Sequence, residues 1–369
     1  MPSTDSPHVA DYRDDPLGYT ANPDTHLTSA FSAPASGLND SPDVWSVVIL
    51  SSREDVETLA SSIDAARAAV AGRHVVIDVM VNGNARLAEQ IAARFAAPAS
   101  ASSASATIRV WSLVMPDKAN AWNQYVHHVW PGASVTFFVD GYASANVDAL
   151  DRLADALDSS KRALAAAAVP SVGRSAAALR DLMMKEPQIN GSLYALRGET
   201  VRALRSEAVR MPIGLYRQDG LLGSALMFGL DPVAHPWDPD HIVVASGASW
   251  TRRVESVWNV RDLANNLDRM KRQALGRFEA LAIREHFVDL KLAPSRLPET
   301  NAAFLSSWMR RHAAKALTTI ARYPFALPAL VRLRRTAALS VPKKGHPTLM
   351  SLIGRPADVP RRHLADDAP

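Results

Sequence analysis

What most constrains this chain is a regular alternation in its first half. Four short apolar runs, at 45–51, 74–81, 107–114 and 135–139, are separated by stretches whose apolar residues recur at helical spacing. A run such as Val47-Val48-Ile49-Leu50 has no polar side to offer water, so as a strand it must be covered on both faces. Between the first two runs, Val56, Leu59, Ile63, Ala66 and Val70 fall on one helical stripe. Asn82-Gly83-Asn84 is a turn signal after the second run. Further helices are predicted at about 85–96, 118–129 and 146–157. Strand and helix taking turns in this way predict an α/β fold: a mainly parallel sheet flanked by helices.

The alternation loosens after position 160. The pattern predicts strands at 189–197 and 241–245, and helices at 199–207, at 218–228 with an acidic start, and from 253 to about 290. The alanine-dominated run 163–169 reads as a helix or a surface segment, and the Ala/Ser/Pro stretch 97–106 as a flexible loop. Residues 1–43 are rich in Ser, Pro, Asp and Ala; they predict a disordered lead-in without the apolar core of a secretory signal. The expected organisation is therefore a lead-in at 1–43, a catalytic-type domain at 44–290 and a helical basic extension at 291–369. No stretch of roughly 18 apolar residues occurs, so no membrane span is predicted. The absence of cysteine excludes disulfides and thiolate metal sites and fits a cytoplasmic location.

Charge is unevenly placed although the net value is only +4. Between Glu299 and Asp358 there is no acidic residue, while Arg310, Arg311, Lys315, Arg322, Arg332, Arg334, Arg335, Lys343, Lys344 and Arg355 all fall there. Large apolar residues, among them Phe304, Trp308, Tyr323, Phe325 and Leu330, are interleaved with them. Two readings fit: an amphipathic helix resting on an anionic membrane surface, and a helical tail packed on the domain with a solvated basic face. The tail holds no nucleic-acid recognition motif, and no nucleic-acid partner is expected.

In open parallel sheets, ligands bind at the carboxyl ends of the strands. Polar residues of the predicted strands sit at those ends: Ser51 and Ser52, Asn82 and Asn84, and Asp140. Singly they have plain readings. Asp140-Gly141 is a common turn pair, Asp219 suits the start of a helix, and Lys118 suits a solvated first turn. The neighbours His127 and His128 point about 100° apart on a helix, so they do not form a shared metal site. His235 and His241 read as loop histidines, and Trp250 and Trp258 as packing residues.

Taken in order, six segments carry more. Val47-Val48-Ile49, Asp78-Val79-Met80-Val81-Asn82-Gly83-Asn84, Lys118-Ala119-Asn120-Ala121-Trp122-Asn123, Phe138-Val139-Asp140-Gly141, Gly191-Ser192-Leu193-Tyr194-Ala195-Leu196-Arg197 and Gln218-Asp219-Gly220-Leu221-Leu222 together resemble glycosyltransferase family two over residues 44–280. That resemblance implies the GT-A fold and a transferase that moves a sugar, with inversion, from a nucleotide-diphosphate donor (a UDP-sugar) to a hydroxyl of a glycan or lipid-linked acceptor. It implies a nucleotide site at Ser51, Asn82, Lys118, Asn123, Asp140 and Arg272 (or its neighbour Gln273), with Asp140 also holding Mg2+ or Mn2+ and Asp219 acting as general base. Two positions depart from the family pattern. Tyr142 stands where the second acid of Asp-x-Asp is expected, and Gln218 where the motif before the base has Glu. A phenol is a poor ligand for a hard cation. The departure at 142 keeps open the alternative of a catalytically impaired GT-A protein that binds a nucleotide or a partner. A nucleotidyltransferase is a further rival, but it would want a Gly-rich basic loop after the first strand, which Ser51-Ser52-Arg53-Glu54-Asp55 does not supply. The acceptor classes and the basic tail extend the reading to polysaccharide biosynthesis at the inner face of a membrane.

Overall fold

A computed structural model describes residues 44–96, 106–172, 176–252, 260–331, 333 and 345–353. The predicted lead-in, the greater part of the 97–106 loop, Trp258 and the cations at 332, 334, 335, 343, 344 and 355 lie outside them. The first half alternates as expected: β1 (Trp45–Ser51), α1 (Val56–Ala69), β2 (Val75–Asn82), α2 (Ala85–Ala96), β3 (Ala106–Leu113), α3 (Lys118–Gln124), β4 (Val135–Asp140), β5 (Ala143–Ala145) and α4 (Ala149–Ser159). There follow β6 (Ala165–Pro170), α5 (Ala176–Lys185), β7 (Leu193–Arg197), α6 (Gly198–Ser206), α7 (Gln218–Met227), β8 (Ile242–Arg252), α8 (Val260–Arg284), α9 (Asn301–Arg311), α10 (Ala313–Arg322) and β9 (Thr348–Ile353).

Among the described residues these strands make one nine-stranded sheet in the order β5-β8-β6-β7-β4-β1-β2-β3-β9. Strands β3, β2, β1 and β4 are mutually parallel, and β6 and β8 are parallel to each other. Strand β7 runs antiparallel between β4 and β6, and β5 and β9 are antiparallel edge strands. The sheet buries alternate residues on opposite faces, as its period of two requires. Val47, Ile49, Ile77, Val79, Phe137, Val139, Leu193, Ala195, Ala166 and Ala168 face one core with α1, α2 and α4. Val48, Leu50, Met80, Phe138, Tyr194, Leu196, Ala165 and Ala167 face the other, with α3, α6 and α7.

The run 163–169 corrects its sequence reading. It is neither helix nor surface but the interior strand β6, with Ala165 to Val169 fully buried. Alanine favours helices only weakly against tertiary context. Here β7 and β8 supply hydrogen-bonding partners on both sides, and small side chains let helices approach both faces.

Asp78, in the middle of β2, is fully buried. Its carboxylate accepts bidentate bonds of 2.7 Å from Arg109, its cross-strand partner on β3, and another of 2.7 Å from Trp111 Nε1. A buried charge held by that many donors belongs to the sheet's own structure.

The region read as a helical tail is attached to the body in two places. Helices α9 and α10 and the segment after them bury Phe304, Leu305, Trp308, Ala316, Ala326 and Leu330 in a third core with α7 and α8. The chain then returns to pair β9 with β3, a strand the helical reading did not include. Of the two tail readings, packing on the domain is therefore observed for these residues.

Candidate functional site

The sheet's topology brings the carboxyl ends of β1, β4, β6 and β8, together with the amino end of antiparallel β7, to one edge. A cavity there is lined by Leu50, Val139 and Asp140, by Pro170, by Trp250 and Arg252, and by Asn190, Gly191 and Ser192. Helix α3 contributes Lys118 and Trp122. Tyr216, Arg217, Gln218 and Asp219 come from the start of α7, and Gln273, Gly276 and Arg277 from α8. The floor is aromatic: Phe138 stacks on Tyr194 at 4.8 Å, and Trp122 stacks on Phe138 and donates its Nε1–H to Tyr194 Oη at 3.0 Å. Among the described residues the charged side chains on the wall are Lys118, Arg217, Arg252 and Arg277 against Asp140 and Asp219, so the cavity is net cationic.

Asp140 closes β4. Its N–H is bonded to Ser192 O at 3.0 Å and that of Gly141 to Leu50 O at 2.9 Å. Strand ends meet so closely that a Cβ at Gly141 would lie 2.8 Å from Ser51 Cβ, which excludes a side chain there. Asp140 is 7% exposed, and its carboxylate forms an ion pair with Lys118. Burial raises its pKa above the ordinary aspartate value, opposed by the Lys118 ammonium. Helix α3 aims Lys118 because its start is fastened on two sides. Asp117 caps it, accepting from Asn120 N at 2.8 Å, and its other oxygen accepts from Gly214 N at 2.9 Å.

A divalent ion bound with a diphosphate takes its oxygen ligands from one or two carboxylates, from the phosphates and from waters. At this strand end the position two residues after Asp140 is Tyr142, whose hydroxyl bonds Ser192 Oγ at 3.2 Å. Desolvation and then the Asp140 charge push the phenol well above the ordinary tyrosine pKa, so it stays protonated. The next carboxylate, Glu54, is committed through Oε2 to Ser51 Oγ and to the backbone N–H groups of Ser52 and Arg53. Among the described residues no group of three or more His, Cys, Asp or Glu side chains converges. The one carboxylate that ends β4 is already paired with the Lys118 ammonium and a phenol stands in the second position, so the donor set at Asp140 does not fit a divalent metal.

Asp219 lies in the first turn of α7, partly exposed to the cavity, with Oδ1 accepting from Gly220 N at 2.9 Å. Across from it, a Cβ built on Gly191 would sit 3.6 Å from Asp219 Oδ2, so the missing side chain leaves space in front of the carboxylate. The backbone leading into Asp219 is held from behind by Glu279 of α8. That fully buried carboxylate accepts from Tyr216 N at 3.0 Å, Arg217 N at 2.7 Å and Asn301 Nδ2 at 2.5 Å. Burial, opposed by those donors, pushes Glu279 up to about 7.

The structure thus brings Lys118, Asp140 and Asp219 to one cavity, and gives other predicted residues different tasks. Asn123 is consumed by the backbone of Met211: Nδ2 donates to its carbonyl at 2.9 Å, and Oδ1 accepts from its N–H at 2.8 Å. With Asp117 it pins the loop that runs on to Asp219. Ser51 Oγ donates to Glu54 at 2.7 Å and does not line the cavity. Asn82 is 2% exposed at the end of β2, with Oδ1 lacking a partner among the described residues. On α8 the wall is built by Gln273, Gly276 and Arg277, and Arg272 is not part of it. Helical spacing explains the selection, since positions 273, 276 and 277 share an arc of about 100° and 272 lies beyond its edge. Arg252, Arg277 and Glu279 were not singled out from the sequence. An arginine at the end of a strand, an arginine on a long helix and a glutamate with helical periodicity carry no local mark of what they meet. His241 is a structural histidine, its Nδ1 bonded to Leu226 O at 2.8 Å, and Trp250 is a buried core residue that also reaches the cavity wall.

No family model matches this chain, and no curated protein matches it. Among solved structures it is similar to a mannosyltransferase from Pyrobaculum calidifontis in complex with GDP-Man and Mn2+, at 18% identity over 90% of this chain and 86% of that one, with a TM-score of 0.46. It is also similar to glucosyl-3-phosphoglycerate synthase from Mycobacterium tuberculosis in complex with Mn2+, UDP and phosphoglyceric acid, at 14% identity over 70% and 80% of the two chains and a TM-score of 0.41. A third likeness is TarS of S. aureus in complex with UDP-GlcNAc, at 14% identity over 66% and 72% and a TM-score of 0.38.

Proposed function

We propose that the chain is a GT-A-type glycosyltransferase that takes a sugar from a nucleoside-diphosphate donor and passes it to an acceptor hydroxyl. The observation that carries the reading is the cavity at the strand ends in which Asp140 and Lys118 meet Asp219 under a net cationic wall. A nucleoside diphosphate needs cations for its phosphates, and the side chains of Lys118, Arg217, Arg252 and Arg277 supply them. Asn82 is buried at the end of β2 and does not line the cavity, so it takes no part in this reading. The aromatic floor of Trp122, Phe138 and Tyr194 offers apolar surface beneath the sugar.

In the proposed reaction Asp219 takes the proton of the acceptor hydroxyl as its oxygen attacks the anomeric carbon. The bond from that carbon to the diphosphate breaks, and the diphosphate leaves with the bonding pair. Gly191 keeps the approach to Asp219 open, and a single displacement inverts the anomeric centre. A positioned carboxylate contributes about 10²–10⁴-fold as general base. Asp219→Asn keeps the shape but not the base. Its expected outcome is loss of nucleotide release from sugar donors in the presence of acceptor, by at least about a hundredfold, with nucleotide affinity unchanged within about threefold. An equal loss of binding and turnover would remove Asp219 from the role.

A peripheral membrane contact is a second part of the reading. The outer face of α10 and the segment after it exposes Leu317 at 69%, Phe325 at 41% and Leu327 at 53%, beside the exposed cations Lys315 and Arg322. Apolar side chains among cations suit an anionic lipid surface. Among the described residues no helix is long and apolar enough to cross a membrane.

A further inference from the structure

The cavity treats its strand-end carboxylate in an unusual way for a site meant to hold a diphosphate. Asp140 has a lysine against it and a protonated tyrosine two residues on, and among the described residues no cluster of carboxylates completes a cation's shell. Lys118 is well placed to do what a cation would do there. Its side chain is 37% exposed while that of Asp140 is 10% exposed, so the pair is buried on the carboxylate side and open on the ammonium side. An ammonium has three N–H donors, and one ion pair leaves others for a ligand. Around the same opening Arg217, Arg252 and Arg277 add guanidinium groups, whose planar forks match phosphate oxygens.

The geometry points to a metal-independent diphosphate site: Asp140 is the anchor that orients Lys118, and Lys118 with the cavity arginines carries the charge of the leaving nucleoside diphosphate. This rests on the nucleotide-sugar reading above and deepens it. When the anomeric C–O bond breaks, the diphosphate oxygen gains the electron pair, and the fixed side-chain cations face the charge where it develops. Asp140 touches no substrate in this scheme and is a positioning residue. Tyr142, hydrogen-bonded to Ser192, fills the place of a second ligand and adds no charge to the strand end.

The test is calorimetric titration of the full chain with UDP and with GDP, each in EDTA and again with Mn2+, on the wild type and on Lys118→Met. Electron paramagnetic resonance of added Mn2+ provides a second readout that does not depend on turnover. The expected result is binding of one of the two nucleotides in EDTA with an affinity within about threefold of that in Mn2+. Lys118→Met should weaken it by about ten- to a hundredfold, the range for losing a charge-assisted hydrogen bond, and the Mn2+ spectrum should stay that of the free ion. A doubly changed chain, Lys118→Met with Tyr142→Asp, should take up Mn2+ and bind the nucleotide better with it. Binding that appears only with Mn2+ would overturn the inference and leave the nucleotide site standing. Absence of binding to either nucleotide in both conditions, by a chain with native circular dichroism, would overturn the nucleotide-sugar reading itself. If Lys118→Met does not fold, the wild-type comparison of EDTA with Mn2+ decides alone.

Discussion

Glu279 couples the start of α7 to the C-terminal helices, and replacing it with glutamine isolates its charge. The carboxylate is fully buried and pushed up to about 7 from an ordinary value of 4.5. Because the folded value lies above the unfolded one, the native state binds more protons than the unfolded chain between those two pH values. The contribution of this group to stability is therefore fully present below about pH 4.5 and is lost as pH rises through about 7. A gap of roughly 2.5 pH units at about 1.4 kcal/mol per unit makes the loss about 3 kcal/mol. Glu279→Gln has nearly the same volume and does not titrate. The assay is urea unfolding of both proteins from about pH 4.5 to 8, read as the difference in unfolding free energy, in which the titrations of all other groups cancel. The wild type should lose about 3 kcal/mol relative to the variant across that range. The constant offset between them reflects the acceptor oxygen that the amide lacks opposite Arg217 N. A difference that stays flat with pH within about 0.5 kcal/mol would refute the assignment of a raised, buried carboxylate to this position.

Gly191→Leu should fill the space in front of Asp219, since a Cβ there already lies in ordinary contact at 3.6 Å. Backbone strain is not introduced, so unfolding stability and nucleotide affinity should hold while transfer falls by about a hundredfold, the scale for displacing a reacting group by an ångström; unaltered turnover would place the acceptor elsewhere. For the membrane contact, the full chain should sediment with vesicles of phosphatidylglycerol but not with phosphatidylcholine alone, and Leu317→Ser with Phe325→Ser should abolish this. Retained sedimentation in that double variant would remove the exposed face of the extension from the contact.

Much of the scaffold was legible because burial on both faces writes itself into consecutive residues. Strands β1 to β4 were readable from their apolar runs, and Asp140 stood out because it ends one of them. Strand β6 was not, because Ala165 to Ala168 gain their place from β7 and β8, and alanine by itself favours a helix. The engagement of Asn123 was hidden for a similar reason. Its partner Met211 is 88 residues away, and an amide that satisfies a backbone looks in sequence like one that greets a ligand. Glu279 sits in a helix whose periodicity does not distinguish a carboxylate facing water from one facing three donors.

The family resemblance singled out Asp140 and Asp219, and by itself the sequence determined the α/β class and the edge of the sheet at which polar residues gather. Those follow from local rules: side-chain period, turn chemistry and helix starts act over a few residues. Tertiary structure alone decided what each acid meets. It set Lys118 against Asp140, opened Gly191 in front of Asp219 and placed Glu279 behind the backbone that carries it. Electrostatics and hydrogen bonding act through space over a few ångströms, and chain separation says nothing about distances that short.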